Sequence, residues 1–109
     1  MAYKEYDYIF TDNAEADIDE VLSYIAEDLS NPDAAASFAD ALEDKFEEIC
    51  KNPKTGRKVV NDYLKRDDIR RYLVKNHIVY YLIDEEKSEI VILRVVYGKR
   101  DQEKVVKGL

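Results

Sequence analysis

The sequence predicts an α+β sandwich of two layers, in which a helical hairpin packs on a small, mostly antiparallel sheet. Three observations carry that expectation: a two-residue apolar alternation near the start, two successive stretches with three- and four-residue apolar spacing, and three consecutive runs rich in β-branched and aromatic residues. The element order is therefore β-α-α-β-β-β. A chain of 109 residues suffices for one core, so residues 1–109 are read as a single domain.

The first strand is Tyr6-Asp7-Tyr8-Ile9-Phe10-Thr11, which sets Tyr6, Tyr8 and Phe10 on one side. Thr11 or Asp12 then accepts hydrogen bonds from the open N–H groups of a helix, with Glu15 three residues after Asp12 as a capping-box partner. Ala14, Ile18, Val21, Leu22, Ile25 and Leu29 share one face of that helix. Ser30-Asn31-Pro32 ends it and starts a second, because Asn31 suits the cap and proline is preset for the first helical position. So short a link implies an antiparallel hairpin. The second helix carries Ala35, Phe38, Ala39, Leu42, Phe46 and Ile49 and stops before Asn52-Pro53.

Lys51 to Asp68 reads as a mostly exposed connection, with Pro53, Gly56, six cations (Lys51, Lys54, Arg57, Lys58, Lys65, Arg66) and room for a short helical turn. Strands follow at Ile69–Lys75, His77–Ile83 and Ile90–Tyr97, joined at Asn76 and at Asp84–Glu89 into an antiparallel meander. Gly98 to Leu109 is a tail. The sheet face away from the helices is expected to be partly open, with polar groups gathered on it.

Composition narrows the function classes. No apolar run approaches the roughly 20 residues of a membrane-spanning helix. Met1 to Phe10 has no secretory character, so a cytoplasmic address is expected. A single Cys50 and a single His77 supply neither a disulfide nor a metal-ligand spacing, and no P-loop, dinucleotide fingerprint or nucleophile elbow is present. Neither a cofactor nor a metal is expected. The net charge of −7 hides a division: residues 1–50 hold 15 acidic and 2 basic side chains, residues 51–109 hold 15 basic and 9 acidic. An acidic first half joined to a basic second half permits a local anion-binding face.

Cations and phenols concentrate around the predicted meander: Arg70, Arg71, Tyr72, Lys75, His77, Tyr80, Tyr81, Arg94, Tyr97, Lys99 and Arg100. A phosphodiester transition state needs positive charge near its equatorial oxygens and a proton donor for the leaving oxygen, and Arg, Lys and Tyr supply both without a metal. Long amphipathic side chains also suit half-exposed strands for packing reasons alone, so both readings stay open. His77 is either an exposed strand-edge residue or a base, and Cys50 reads as a small buried apolar residue.

Four segments together resemble the RelE/ParE superfamily of toxins: Tyr8 to Ile18, Pro53-Lys54-Thr55-Gly56-Arg57, Arg71-Tyr72-Leu73-Val74, and Ile92 to Asp101 with its Arg94, Tyr97, Gly98 and Arg100. The resemblance implies the toxin of a type II toxin-antitoxin pair, held inactive by a cognate antitoxin whose C-terminal segment wraps it. It also implies one of two targets, DNA gyrase for ParE-like members or mRNA in the ribosomal A site for RelE-like ones, which cleave without metal. The helical hairpin and the Pro53-to-Gly56 loop look more like ParE. For the endoribonuclease alternative, the resemblance sets Arg100 at the scissile phosphate, Arg70 or Arg71 on the first basic strand, and Tyr97 where many relatives carry His, with Arg94 and His77 completing the candidate site. Two positions depart from the nuclease pattern: Val106 stands near its catalytic tyrosine and His77 near one of its arginines. A third reading is a toxin-derived module that binds antitoxin and has lost toxicity.

Overall fold

The computed structural model describes residues 5–60 and 68–109. Its elements run β1 (Asp7–Phe10), α1 (Asp12–Ser23) continuing as a π-helical turn (Tyr24–Asp28), α2 (Pro32–Lys51), a 3₁₀ turn (Pro53–Thr55), β2 (Arg57–Lys58), β3 (Ile69–Val74), β4 (His77–Asp84), β5 (Glu89–Tyr97) and α3 (Gln102–Lys107). The five strands form one sheet in the order β1-β5-β4-β3-β2. All neighbours are antiparallel except β1 and β5, which run parallel with Tyr8 opposite Ile90. The two-layer expectation is met on the helical-hairpin side.

That layer holds the larger core. Ala14 of α1 and Phe38, Leu42, Phe46 and Ile49 of α2 pack on Val79, Tyr81, Ile90, Ile92 and Val95, and Tyr8 and Phe10 join from β1. Ile92 and Val95 are three residues apart yet share this face. A β-bulge explains it: Tyr81 lies opposite Ile92 and Tyr80 opposite Arg94, so Leu93 is the extra residue that shifts the alternation.

The helix ends follow the expected chemistry with two corrections. Thr11 is the cap, its Oγ1 accepting from the Ala14 N–H at 3.1 Å and donating to the Leu93 carbonyl at 2.9 Å. With Thr11 as cap, the third residue on is Ala14, so Glu15 falls one place too late for a capping box. Asn31 caps α2 through Ala34 N–H, as its position before Pro32 implies. Leu29, expected on the buried stripe of α1, is instead 55% exposed. The π turn, marked by Leu29 N–H donating to the Tyr24 carbonyl, inserts one residue and carries Leu29 out of the stripe.

The connection after α2 contains the short turn allowed for, then β2, which adds an edge to β3; Lys65 and Arg66 lie outside the described residues. The tail is not unstructured. Asp101 caps α3, which lays Val105 and Val106 on Ile69, Ile78, Tyr80 and Val96. The second sheet face, expected to be partly open, is therefore roofed by a small second core. Among the described residues no helix is long and apolar enough to cross a membrane.

Candidate functional site

A cleft of about 980 Å³ opens where the tip of the helical hairpin meets the β3–β4 turn and the end of β5. His77 starts β4 opposite Tyr97, the last residue of β5, and both point toward α2. The His77 ring lies 4.8 Å from Phe38 and 5.6 Å from Tyr97, between centroids. Val21, Tyr24, Ile25 and Leu29 supply the apolar helical wall. Asp17, Glu20, Glu27 and Asp28 give that wall negative charge, whereas Lys75 and Arg100 put positive charge on the sheet side. Tyr24, Leu29 and Tyr97 are about half exposed along its rim.

Gln102 fixes the turn that carries Arg100. Its Nε2 donates to the carbonyls of Tyr97 at 3.0 Å and Arg100 at 2.9 Å, while its Oε1 accepts from the Tyr80 hydroxyl at 2.8 Å. Gly98 N–H donates to the Asn76 carbonyl at 2.7 Å and ties this turn to the one before β4. A side chain at Gly98 would stand 3.0 Å from that same carbonyl, so glycine suits the approach. The result is a firm corner with Arg100 on its exposed side.

Of the five residues singled out in the sequence, His77, Tyr97 and Arg100 come together in the cleft. Arg94 is engaged elsewhere. Its Nε and Nη2 donate to the two carboxylate oxygens of Asp17 at 2.7 and 3.0 Å, and Asp17 Oδ2 also accepts from the Val95 N–H at 3.0 Å. β1 pairs only with residues 89–92 of β5, so Asp17 takes the place of a strand neighbour along the rest of that edge. Hydrogen bonding to Asp17 raises the Arg94 pKa above its ordinary value. Arg71 lies opposite Tyr80, whose ring belongs to the α3-side core, and so projects from the other sheet face. Burial pushes the Tyr80 hydroxyl pKa up, and the Arg71 guanidinium beside it opposes that rise.

His77 is poorly equipped as a base. Its Nδ1 is buried with no hydrogen-bond partner, and burial lowers the proton affinity of the ring. The Cys50 thiol is buried, and desolvation lifts its pKa to about 11, which keeps it un-ionised. Among the described residues no group of three or more His, Cys, Asp or Glu is arranged to hold a metal ion.

Sequence reasoning passed over Asp17, the partner of Arg94. A signal was present, since Asp17 stands three after Ala14 and four before Val21, on the apolar face, where a carboxylate needs a partner. Tyr24 and Leu29 were missed as rim residues because an inserted π turn has no clear sequence mark.

The chain matches the family model described as "ParE toxin of type II toxin-antitoxin system, parDE" over residues 8–102. No curated protein sequence matches it. Among solved structures, it is similar to the toxin-antitoxin complex RelBE2 from Mycobacterium tuberculosis, with a TM-score of 0.63 and 21% identity over 88% of this chain and 94% of that one. It is also similar to the chromosomal ParDE system from P. aeruginosa, with a TM-score of 0.68 and 15% identity over 88% of this chain and 99% of that one. The isolated RelE toxin of E. coli gives 0.57 and 16% over 95% and 99% of the two chains. At these identities the structural likenesses establish the shared fold.

Proposed function

Since this chain belongs to the ParE toxin family of type II toxin-antitoxin systems, we propose that it arrests growth by poisoning DNA gyrase and is silenced by a cognate antitoxin seated in the cleft. The observation that carries the choice of target is the dispersal of the cations. Metal-independent RNA cleavage needs several positive groups and a proton-transfer group around one phosphate. Here Arg94 is held by Asp17, Arg71 projects from the opposite sheet face, and Arg100 alone of the three arginines borders the cleft.

The cleft has the character of a receptor for an amphipathic helix: an apolar lining between an acidic wall and a basic one. Such a helix would lay its apolar stripe on Tyr24, Leu29 and Tyr97 and meet each wall with the opposite charge. The RelBE2 and ParDE structures are of toxin-antitoxin systems, which supports an antitoxin as the occupant.

Expression of the chain alone should slow bacterial growth, and co-expression of the adjacent antitoxin gene should restore it. Purified protein should trap cleaved supercoiled DNA with gyrase. Inertness in that assay at high concentration, with growth still arrested, would overturn the gyrase reading. Normal growth with abundant folded protein would instead leave an antitoxin-binding module without toxicity.

The RelE-like endoribonuclease is a second reading, favoured by the meeting of Arg100, Tyr97 and His77 in one cleft. On that reading Arg100→Ala abolishes ribosome-dependent mRNA cleavage and leaves the fold intact.

A further inference from the structure

The roof that α3 lays over the second sheet face stops short of β1. Ile9, Val91, Leu82 and Ile69 stand opposite one another in turn, a row of aliphatic side chains crossing four strands on that face. Ile69 is 1% exposed beneath α3, and Leu82 packs at the margin of the same small core. Val91 and Ile9 join neither core, and Ile9 is 42% exposed.

The pattern of these strands calls for a second cover. Tyr8-Ile9-Phe10 and Ile90-Val91-Ile92 are unbroken apolar runs on two neighbouring strands, and the two strands run parallel. Both features belong to strands covered on two faces, whereas a strand with one wet face alternates apolar with polar residues. The helical hairpin covers one face, through Tyr8, Phe10, Ile90 and Ile92. On the other, Ile9 stays open to water. Two residues along each strand, that open face turns acidic. Asp7, Glu89 and Asp84 form the next row, with Glu89 opposite both of the others. Like charges directly opposite weaken a sheet. Among the described residues none of the three carboxylates pairs with a cationic side chain, and Asp84 accepts from the Lys87 backbone N–H at 3.2 Å.

We propose that the Ile9–Val91–Leu82 row is a docking site for a basic amphipathic helix of a partner protein, with its apolar stripe on the aliphatic row and its lysines or arginines over the carboxylates. Neighbouring strands lie about 4.8 Å apart and successive helical turns about 5.4 Å apart, so a helix laid along the row sets one stripe residue on each strand. The acidic row runs beside it at about 6.7 Å, two residues along the strands, within reach of a long cationic side chain flanking the stripe. The carboxylates also select among occupants. They repel nucleic acid and anionic lipid, and a second copy of this chain would bring the same three charges to the contact. This row lies on the sheet face opposite the cleft and at the other end of β5, so it is separate from the antitoxin seat.

The test uses neither gyrase nor antitoxin, so its failure is separable from failure of those readings. Two fluorescein-labelled peptides of about 18 residues, long enough to hold a helix, share one leucine stripe, flanked by lysines in one and by glutamates in the other. Fluorescence anisotropy with the purified chain should show the Leu/Lys peptide binding about tenfold or more tighter than the Leu/Glu peptide. Ile9→Thr, which keeps a β-branched residue in the strand, should weaken the Leu/Lys peptide by about tenfold. Asp7→Asn/Glu89→Gln should weaken it by about fivefold at low salt, and by less as salt is raised. That variant relieves like-charge repulsion, so it keeps the test open should Ile9→Thr fail to fold. Asp40→Asn/Asp44→Asn, an equal change of charge on the exposed side of α2, should alter affinity less than about twofold. In magnetic resonance spectra of the isotope-labelled chain, the amide signals of Ile9, Leu82 and Val91 should move on binding. The proposal is overturned if the row variants bind like the control, if the Leu/Glu peptide binds as tightly, or if the signals that move are confined to the cleft around Tyr24 and Leu29. Sedimentation showing a dimer that Ile9→Thr dissolves would overturn it as well, by giving the face to a second copy.

Discussion

Removing the carboxylate of Asp17 should be among the most damaging single changes in this protein. Its side chain is 11% exposed and that of its partner Arg94 21%, so the pair is largely shielded from water. Asp17→Ala deletes both guanidinium contacts and the acceptor for the Val95 N–H at once. Breaking a buried pair from one side costs about 3–5 kcal/mol, because the other charge is left without compensation. Residual exposure sets the value near the lower end, about 3 kcal/mol. For a domain of this size that corresponds to a fall of roughly 12 °C in Tm, measured by circular dichroism. A thermodynamic cycle with Arg94→Met separates the pair from the general effects of substitution. The double variant should be more stable than the sum of the two single losses by about 2 kcal/mol, since it leaves no orphan guanidinium. Additivity within about 0.5 kcal/mol, or a loss below about 1 kcal/mol for Asp17→Ala, would refute the reasoning. The same double variant reports on function. Growth arrest retained without Arg94 makes this arginine structural, whereas loss of toxicity in a folded double variant returns it to the working surface.

Other perturbations follow from other contacts. Tyr81 Oη donates to the Pro53 carbonyl at 2.7 Å and accepts from the Gly56 N–H at 2.9 Å, so Tyr81→Phe strands two backbone groups and should cost about 2 kcal/mol in urea unfolding. Burial depresses the His77 pKa, so below the unfolded value of about 6.5 the unfolded chain binds the proton more readily than the native one. Stability should therefore fall between pH 7 and 5.5 and should do so less in His77→Phe; equal slopes would remove His77 as the cause. On the proposed antitoxin mode, Leu29→Glu should weaken antitoxin binding by about tenfold or more with Tm unchanged, because this rim leucine gains burial only in the complex. Calorimetry showing unaltered affinity would place the antitoxin elsewhere.

Periodicity made the main architecture readable. The alternation of Tyr6, Tyr8 and Phe10, the stripe from Phe38 to Ile49 and the three β-rich runs each record how a face repeats along one element. Features that depend on a local exception were not readable. α3 spans six residues and buries the adjacent pair Val105 and Val106, too short a segment to show a helical stripe. The π turn that exposes Leu29 and the bulge at Leu93 shift a repeat by one residue, which a pattern search smooths over. The candidate site was legible as a set of residue types and not as a place. His77, Tyr97 and Arg100 meet because two turns at one end of the sheet are tied together, whereas the fate of Arg94 was decided by a carboxylate 77 positions away.

The parallel pairing of β1 with β5 joins the start of the chain to nearly its end, with Tyr8 beside Ile90. On the ribosome, the N-terminal strand and the helical hairpin have no floor to settle on until the last strand leaves the exit tunnel. Contacts so distant along the sequence also form late, after the entropy of closing the long intervening loop has been met. Until β5 is in place, the chain therefore lacks both the partner strand of β1 and the Val95-to-Tyr97 wall of the cleft.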